Sequence, residues 1–108
     1  MWVSIGGMEI DGWRHFFRTI RLTMTTLRAA RAEQDCLHAD IYRVGRRYFA
    51  LSVWETRSAM QAFARGPAHG PLMAEAPRLM RAFRNHSYES DAIPTRDAAR
   101  AAWEASGR

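Results

Sequence analysis

Apolar and polar residues alternate along four segments of the chain, and this alternation predicts a four-stranded sheet. Successive side chains of a strand point to opposite faces, so alternation marks a strand that is covered on one side. The predicted strands span residues 2–10, 36–44, 47–54 and 82–89. Gly6-Gly7 lies within the first and predicts a bulge or bend there. The two middle strands lack a fully polar face, so we expect both faces of the sheet to be covered.

Between the strands, large apolar residues recur every three or four positions, which is the spacing of one face of a helix. The clearest helix is predicted from Trp13 to about Ala32, with Asp11 as its N-cap. Its expected buried stripe consists of Trp13, Phe16, Phe17, Ile20, Met24 and Leu27.

A second helix is predicted to begin after Thr56 and to break at Gly66-Pro67, which places His69 at the break. Pro71 and Pro77 are expected to fragment the chain beyond that break. A last helix is predicted over residues 96–105, and Trp103 is its one large apolar residue, so we expect Trp103 to dock that helix on the sheet.

The order β-α-β-β-α-β, followed by an extra C-terminal helix, predicts an α+β ferredoxin-like fold with residues 1–108 in a single domain. Many activities share this fold, so it decides no function by itself. A chain of 108 residues buries a modest core. We therefore predict a homodimer in which the sheets of two copies face each other.

The charge of the chain is +5, and every basic residue is an arginine. A cluster on one side of the first helix raises the idea of a nucleic-acid surface: Arg14, Arg18, Arg21 and Arg28. No RNA-binding signature and no zinc-finger spacing accompanies these arginines. We interpret them as a solvated helix face and predict no nucleic-acid partner.

The lone cysteine, Cys36, rules out a disulfide within the chain and is interpreted as a small buried residue. The N-terminus has no basic leader followed by an apolar stretch, and no apolar run approaches the length of a membrane span. We expect a cytoplasmic protein without a membrane partner. The four histidines lack metal-ligand spacing, so no metal is predicted.

The segment from Ser52 to Phe63, which includes Trp54-Glu55-Thr56, resembles the antibiotic biosynthesis monooxygenase family. In that family a strand ends in a similar Trp-Glu-Ser, and a helix with an apolar pair comes next. A His comes about fifteen residues after the Trp, where this chain has His69 and then Leu72-Met73. Cys36-Leu37-His38 matches a second stretch, and the likeness extends over residues 1–91.

This resemblance implies a dimeric α+β barrel that encloses a pocket, and a monooxygenase acting on an apolar aromatic or polyketide-like molecule. Some members work without metal or flavin, whereas related proteins bind or degrade heme through a His on the broken helix. Phe63 replaces a second Trp of the heme-degrading proteins, and Gly70 follows His69. We therefore expect no cofactor, with heme as the alternative.

The candidate site gathers His69 and His38 as catalytic residues and Trp54, Asp40, Tyr42 and Phe63 as contacts to the substrate. An imidazole can take or give a proton near neutral pH, and aromatic walls suit a flat ligand. We predict that His69, Trp54 and His38 line one cavity. Each residue also has a structural interpretation, with Trp54 as a packing anchor and His69 as a cap of the next helical turn. Two alternatives stay open: a heme- or small-molecule-binding protein without turnover, and a structural dimer with a vestigial pocket.

Overall fold

A computed structural model describes residues 1–107, and its four strands form one antiparallel sheet in the order β2-β3-β1-β4. The strands are β1 (Trp2–Ile10), β2 (Cys36–Val44), β3 (Arg47–Trp54) and β4 (Met80–Glu89). The helices are α1 (Phe16–Ala32), α2 (Arg57–Ala64), α3 (Gly70–Leu79) and α4 (Arg96–Ser106). The predicted α+β ferredoxin-like order with an extra C-terminal helix is confirmed.

Helices cover both faces of the sheet. α1, α2 and α3 cover one side, which we call the helix face, and its buried cluster includes Leu27, Ala39 and Trp54. α4 covers the other side, which we call the tail face, where Trp103 and Ala99 pack against the sheet. The alternation in β3 is as predicted: Phe49, Leu51 and Val53 are on the tail face, and Ala50, Ser52 and Trp54 are on the helix face.

The tail face is closed by the chain itself. Val3, Ile5 and Val53 are completely buried in the cluster that includes Ala99 and Trp103 of α4. The predicted docking of Trp103 is confirmed, since its side chain is 6% exposed. The resemblance implies that the sheets of two copies pack face to face. Such packing therefore requires α4 to leave the sheet that it covers.

The glycine pair in β1 serves packing and is not a bend. β1 pairs continuously with β3 and β4 through Gly6 and Gly7, and the one register shift in its pairing with β4 falls between Glu9 and Ile10. A Cβ atom on Gly7 would overlap the indole ring of Trp103. The predicted bulge at Gly6-Gly7 is therefore wrong. Gly7 leaves room for Trp103 of α4, and the strand pairing stays regular at both glycines.

The face that α1 buries differs from the prediction. Trp13 lies in a short 3-10 turn before α1, and Trp13 and Phe17 are 82% and 78% exposed. The buried positions of α1 are Thr19, Thr23, Leu27 and Ala30. Each buried threonine donates its hydroxyl to the backbone carbonyl four residues earlier, at 2.7 Å, so burial leaves no unpaired donor.

The break between α2 and α3 is confirmed, with His69 at its end. Pro71 and Pro77 do not fragment the chain further. Pro71 lies in the first turn of α3, where its missing N–H has no helical partner to lose, and α3 continues through Pro77 to Leu79. In residues 1–107, no helix combines the length and apolar character needed to cross a membrane. The cytoplasmic location and the single domain stay predictions.

Candidate functional site

A cavity of about 110 Å³ lies between the helix face of the sheet and α1, α2 and α3. It exists because the strand positions beneath it carry small side chains, including Gly6, Ala39 and Ala50. Larger apolar groups form the opposite wall: Leu27, Met60, Phe63 and Leu72. The space is therefore mostly apolar and is placed where three helices meet the sheet.

Three of the predicted site residues meet at this cavity. Trp54 ends β3 and is 2% exposed, and its ring centroid lies 5.1 Å from that of Phe63 on α2. The Phe63 centroid lies 6.1 Å from the imidazole of His69, which also lines the cavity. The indole, the phenyl ring and the imidazole thus form a connected aromatic wall.

His69 contributes an unsatisfied polar atom to the surroundings of the cavity. Its Nδ1 is buried and is the one buried side-chain N or O atom without a hydrogen-bond partner in residues 1–107. Burial lowers the pKa of His69 below its ordinary value, and the backbone carbonyl of Ala64 opposes this in part. The neutral imidazole is therefore favoured at pH 7, and this form can accept a proton or a hydrogen bond.

The prediction that His38 and Tyr42 share this cavity is wrong. Both side chains belong to the tail face, where His38 pairs in register with Val53 and Tyr42 with Phe49. His38 is exposed to solvent. Successive side chains of β2 point to opposite faces of the sheet. His38 lies on the tail face, so it cannot contact an imidazole on the helix face.

Asp40 borders the cavity, but its carboxylate is occupied elsewhere. It accepts hydrogen bonds of 2.6 and 3.0 Å from Nε and Nη2 of Arg96, the first residue of α4. This guanidinium holds the pKa of Asp40 below its usual range. The hydroxyl of Tyr42 donates to the backbone carbonyl of Arg96 at 2.9 Å. Asp40 and Tyr42 therefore hold the first residue of α4 against the sheet, whereas the sequence predicted that they contact a substrate.

Polar residues that sequence reasoning missed line the sheet side of the cavity. Ser4 pairs with Ser52 across β1 and β3, and its Oγ lies 3.2 Å from Oδ1 of Asn85 on β4. Ser52 Oγ accepts the indole N–H of Trp54 at 2.9 Å, which fixes the ring. The sequence does carry a signal for this pair, because β1 and β3 each have one serine among large apolar residues. Strand register was needed to bring them together.

Asn85 and Phe83 are exposed parts of the cavity wall, so the cavity opens beside β4. A ligand could enter past these two side chains and place its apolar part against Trp54 and Phe63. In the described part of the chain, no three His, Cys, Asp or Glu side chains gather into a group that could hold a metal ion.

Several solved structures share this fold. A candidate antibiotic biosynthesis monooxygenase from Deinococcus radiodurans is 17% identical, with a TM-score of 0.76 over 88% of this chain and 97% of that one. A second, from Nitrosomonas europaea, is 14% identical, with a TM-score of 0.75 over 85% and 100%. A protein described as an antibiotic biosynthesis monooxygenase is 18% identical, with a TM-score of 0.71 over 87% and 100%.

Identities this low establish the fold alone. No protein-family model and no curated protein matches the sequence.

Proposed function

We propose that this protein binds a small aromatic molecule in the cavity on the helix face and oxygenates it without a cofactor, as a member of the antibiotic biosynthesis monooxygenase family. The observation that carries the proposal is His69, which lines an apolar cavity and has a buried Nδ1 atom without a hydrogen-bond partner. A buried polar atom without a partner is costly, and a hydroxyl group of a ligand would satisfy it.

The volume limits the class of substrate. Ligand pockets usually measure roughly 300–1,000 Å³, whereas an engineered apolar cavity of about 150 Å³ in another protein holds benzene. At about 110 Å³, the cavity takes no more than one aromatic ring, and the rest of a larger molecule would extend past Phe83 and Asn85. A polycyclic polyketide-like molecule therefore does not fit inside as a whole.

We propose no heme at this site, because a porphyrin is larger than a cavity of about 110 Å³. The proposed chemistry therefore includes no step at a heme. If the protein instead binds heme, the purified protein is expected to absorb strongly in the visible range. The proposed cofactor-free enzyme is expected to show no such absorbance.

In the proposed reaction, neutral His69 accepts the proton of a phenolic hydroxyl while the ring stacks near Trp54. The electron-rich phenolate then reacts with O₂ at an unsubstituted ring carbon. One oxygen atom becomes a quinone carbonyl and the other leaves as water with the two hydrogens that the phenol loses. The substrate itself supplies the electrons that reduce O₂, so no external reductant is needed.

The test uses guaiacol, a single-ring phenol, and measures its binding by titration and its oxidation by O₂ uptake. His69→Gln is expected to lower O₂ uptake at least about 100-fold, since losing a general base typically costs that much. Gly6→Val, which fills the cavity, is expected to abolish binding. His86→Gln is the matched control, because His86 lies on the tail face stacked on Tyr88 and should leave both measurements unchanged.

Binding without O₂ uptake would favour the alternative of a binding protein without turnover. Absence of both, in a protein with normal circular dichroism, would leave a structural protein with a vestigial pocket.

The homodimer stays part of the proposal, with a constraint from the tail face. Val3, Ile5 and Val53 are already covered within one chain, so a face-to-face dimer requires the two tails to be exchanged or displaced. Light scattering at micromolar concentration is expected to give the dimer mass, and Trp103→Ala, which weakens tail docking, should change that mass. A monomer mass at every concentration would remove the dimer.

A further inference from the structure

Two large aromatic side chains, one in the 3-10 turn before α1 and one in the first turn of α1, are exposed to solvent. Trp13 is 82% exposed and Phe17 is 78% exposed, and Phe17 contacts Phe16 edge-on at 5.4 Å between ring centroids. Single exposed apolar residues are ordinary on protein surfaces, but two of this size that line one groove mark a site of interaction. Neither contributes to a buried cluster of the fold.

Arginines surround these rings across a shallow open groove. The groove lies between the start of α1, the β2–β3 turn and the start of β4, and its basic residues are Arg43, Arg46 and Arg81. Within residues 1–107, no ion pair engages Arg43 or Arg46. Arg81 pairs with Asp11 at 3.6 Å.

The acidic wall residue, Glu9, lies 3.7 Å from Arg47. The groove therefore carries excess positive charge around an apolar centre. We call Trp13, Phe16, Phe17, Arg43, Arg46 and Arg81 the aromatic–arginine surface.

We propose that the aromatic–arginine surface binds the face of an anionic phospholipid bilayer. Tryptophan and phenylalanine favour the boundary between head groups and acyl chains, and arginine binds lipid phosphates. Charge complementarity selects this occupant over a second copy of the same surface, because Arg43 and Arg46 of two such surfaces would repel each other. The groove is open and its two most exposed rings project outward, which suits a flat surface better than an enclosed solute.

The prediction of no membrane partner rested on the lack of a membrane-spanning segment in the sequence. Trp13 and Phe17 were also predicted to lie in the buried stripe, so the sequence did not reveal a surface that contacts lipid from one side. Peripheral binding of this kind needs no apolar run.

The test is sedimentation of the full chain with vesicles of phosphatidylcholine alone or with about one-quarter phosphatidylglycerol. We expect the chain to bind the anionic vesicles at least about tenfold more tightly than the neutral ones, and to release at high salt. Trp13→Ser with Phe17→Ser should weaken binding about tenfold or more, and so should Arg43→Gln with Arg46→Gln.

Matched controls separate this surface from overall charge and overall exposure. Arg28→Gln with Arg65→Gln removes the same charge from exposed positions outside the surface, and Ile93→Ser removes an exposed apolar residue elsewhere, which is 46% exposed. Both controls should retain binding.

Three outcomes would overturn the proposal: no sedimentation with anionic vesicles, an equal loss in the arginine control, or a dimer that Trp13→Ser with Phe17→Ser converts to monomer. The last would identify the surface as an interface between copies. Circular dichroism and thermal unfolding of each variant keep a failure to fold from being mistaken for a loss of binding.

Discussion

Replacing Trp103 with alanine is expected to lower the free energy of unfolding by about 3–5 kcal/mol, the usual cost of removing a buried tryptophan. The indole packs edge-on against Phe49 at 5.2 Å and lies over the backbone of Gly7. The guanidinium of Arg84 covers its outer side at 3.8 Å from the ring centroid. Its N–H donates to the Arg84 backbone carbonyl at 2.8 Å, so the substitution also removes a hydrogen bond.

Thermal unfolding followed by circular dichroism measures this effect, and a drop in Tm of more than about 10 °C is expected for a chain of this size. Trp13→Ala is the matched control. It deletes the same side chain from an exposed position and should change stability by no more than about 0.5 kcal/mol. Equal effects of the two substitutions would mean that α4 is not docked through Trp103.

Gly7→Ala is expected to destabilise the protein by about 1–3 kcal/mol, the range for overpacking a filled core. Its new methyl group would overlap the Trp103 indole on one side and lie 3.0 Å from Cε1 of Phe49. Both rings are buried and in contact, so neither can move without leaving the other. Urea unfolding at constant pH measures the change in free energy.

Gly6→Ala, at the neighbouring position, is the control. A Cβ atom there faces the cavity on the opposite side of the sheet, and its nearest neighbours are 3.4 Å away. The same chemical change should therefore cost less, or even stabilise the strand, because alanine leaves the unfolded chain less conformational freedom than glycine does. A larger loss at Gly6 than at Gly7 would contradict the assignment of the two faces.

The strands and the tail were predictable because their signals are local. Alternation in β3 separates Leu51 from Ser52 without knowledge of any neighbour, and the two faces are assigned from it. Trp103 is the one large apolar residue of its helix, so its burial can be predicted from the helix alone. The break that places His69 at the edge of the cavity is caused by Gly66-Pro67.

The errors arose where burial depends on a partner element. In α1, the large apolar side chain of Phe17 led to the prediction that Phe17 is buried. The smaller, polar Thr23 was not included in the predicted buried stripe. The structure buries Thr23 because its hydroxyl is satisfied within the helix and a small side chain suits the contact with the sheet. His38 and Tyr42 were correctly placed on one face of β2, but local alternation does not determine which face meets which helix.

The tail also behaves as a ligand that is permanently attached to its receptor. α4 docks on an apolar surface of the sheet, and the short segment 90–95 connects it to the end of β4. A short tether of this kind gives an effective concentration on the order of millimolar, so modest contacts suffice to keep the surface occupied. Any molecule that binds the tail face in trans must outcompete that local concentration. The ion pair of Asp40 with Arg96, at the tethered end, adds to the docking through Trp103 and so helps to keep this surface occupied by α4.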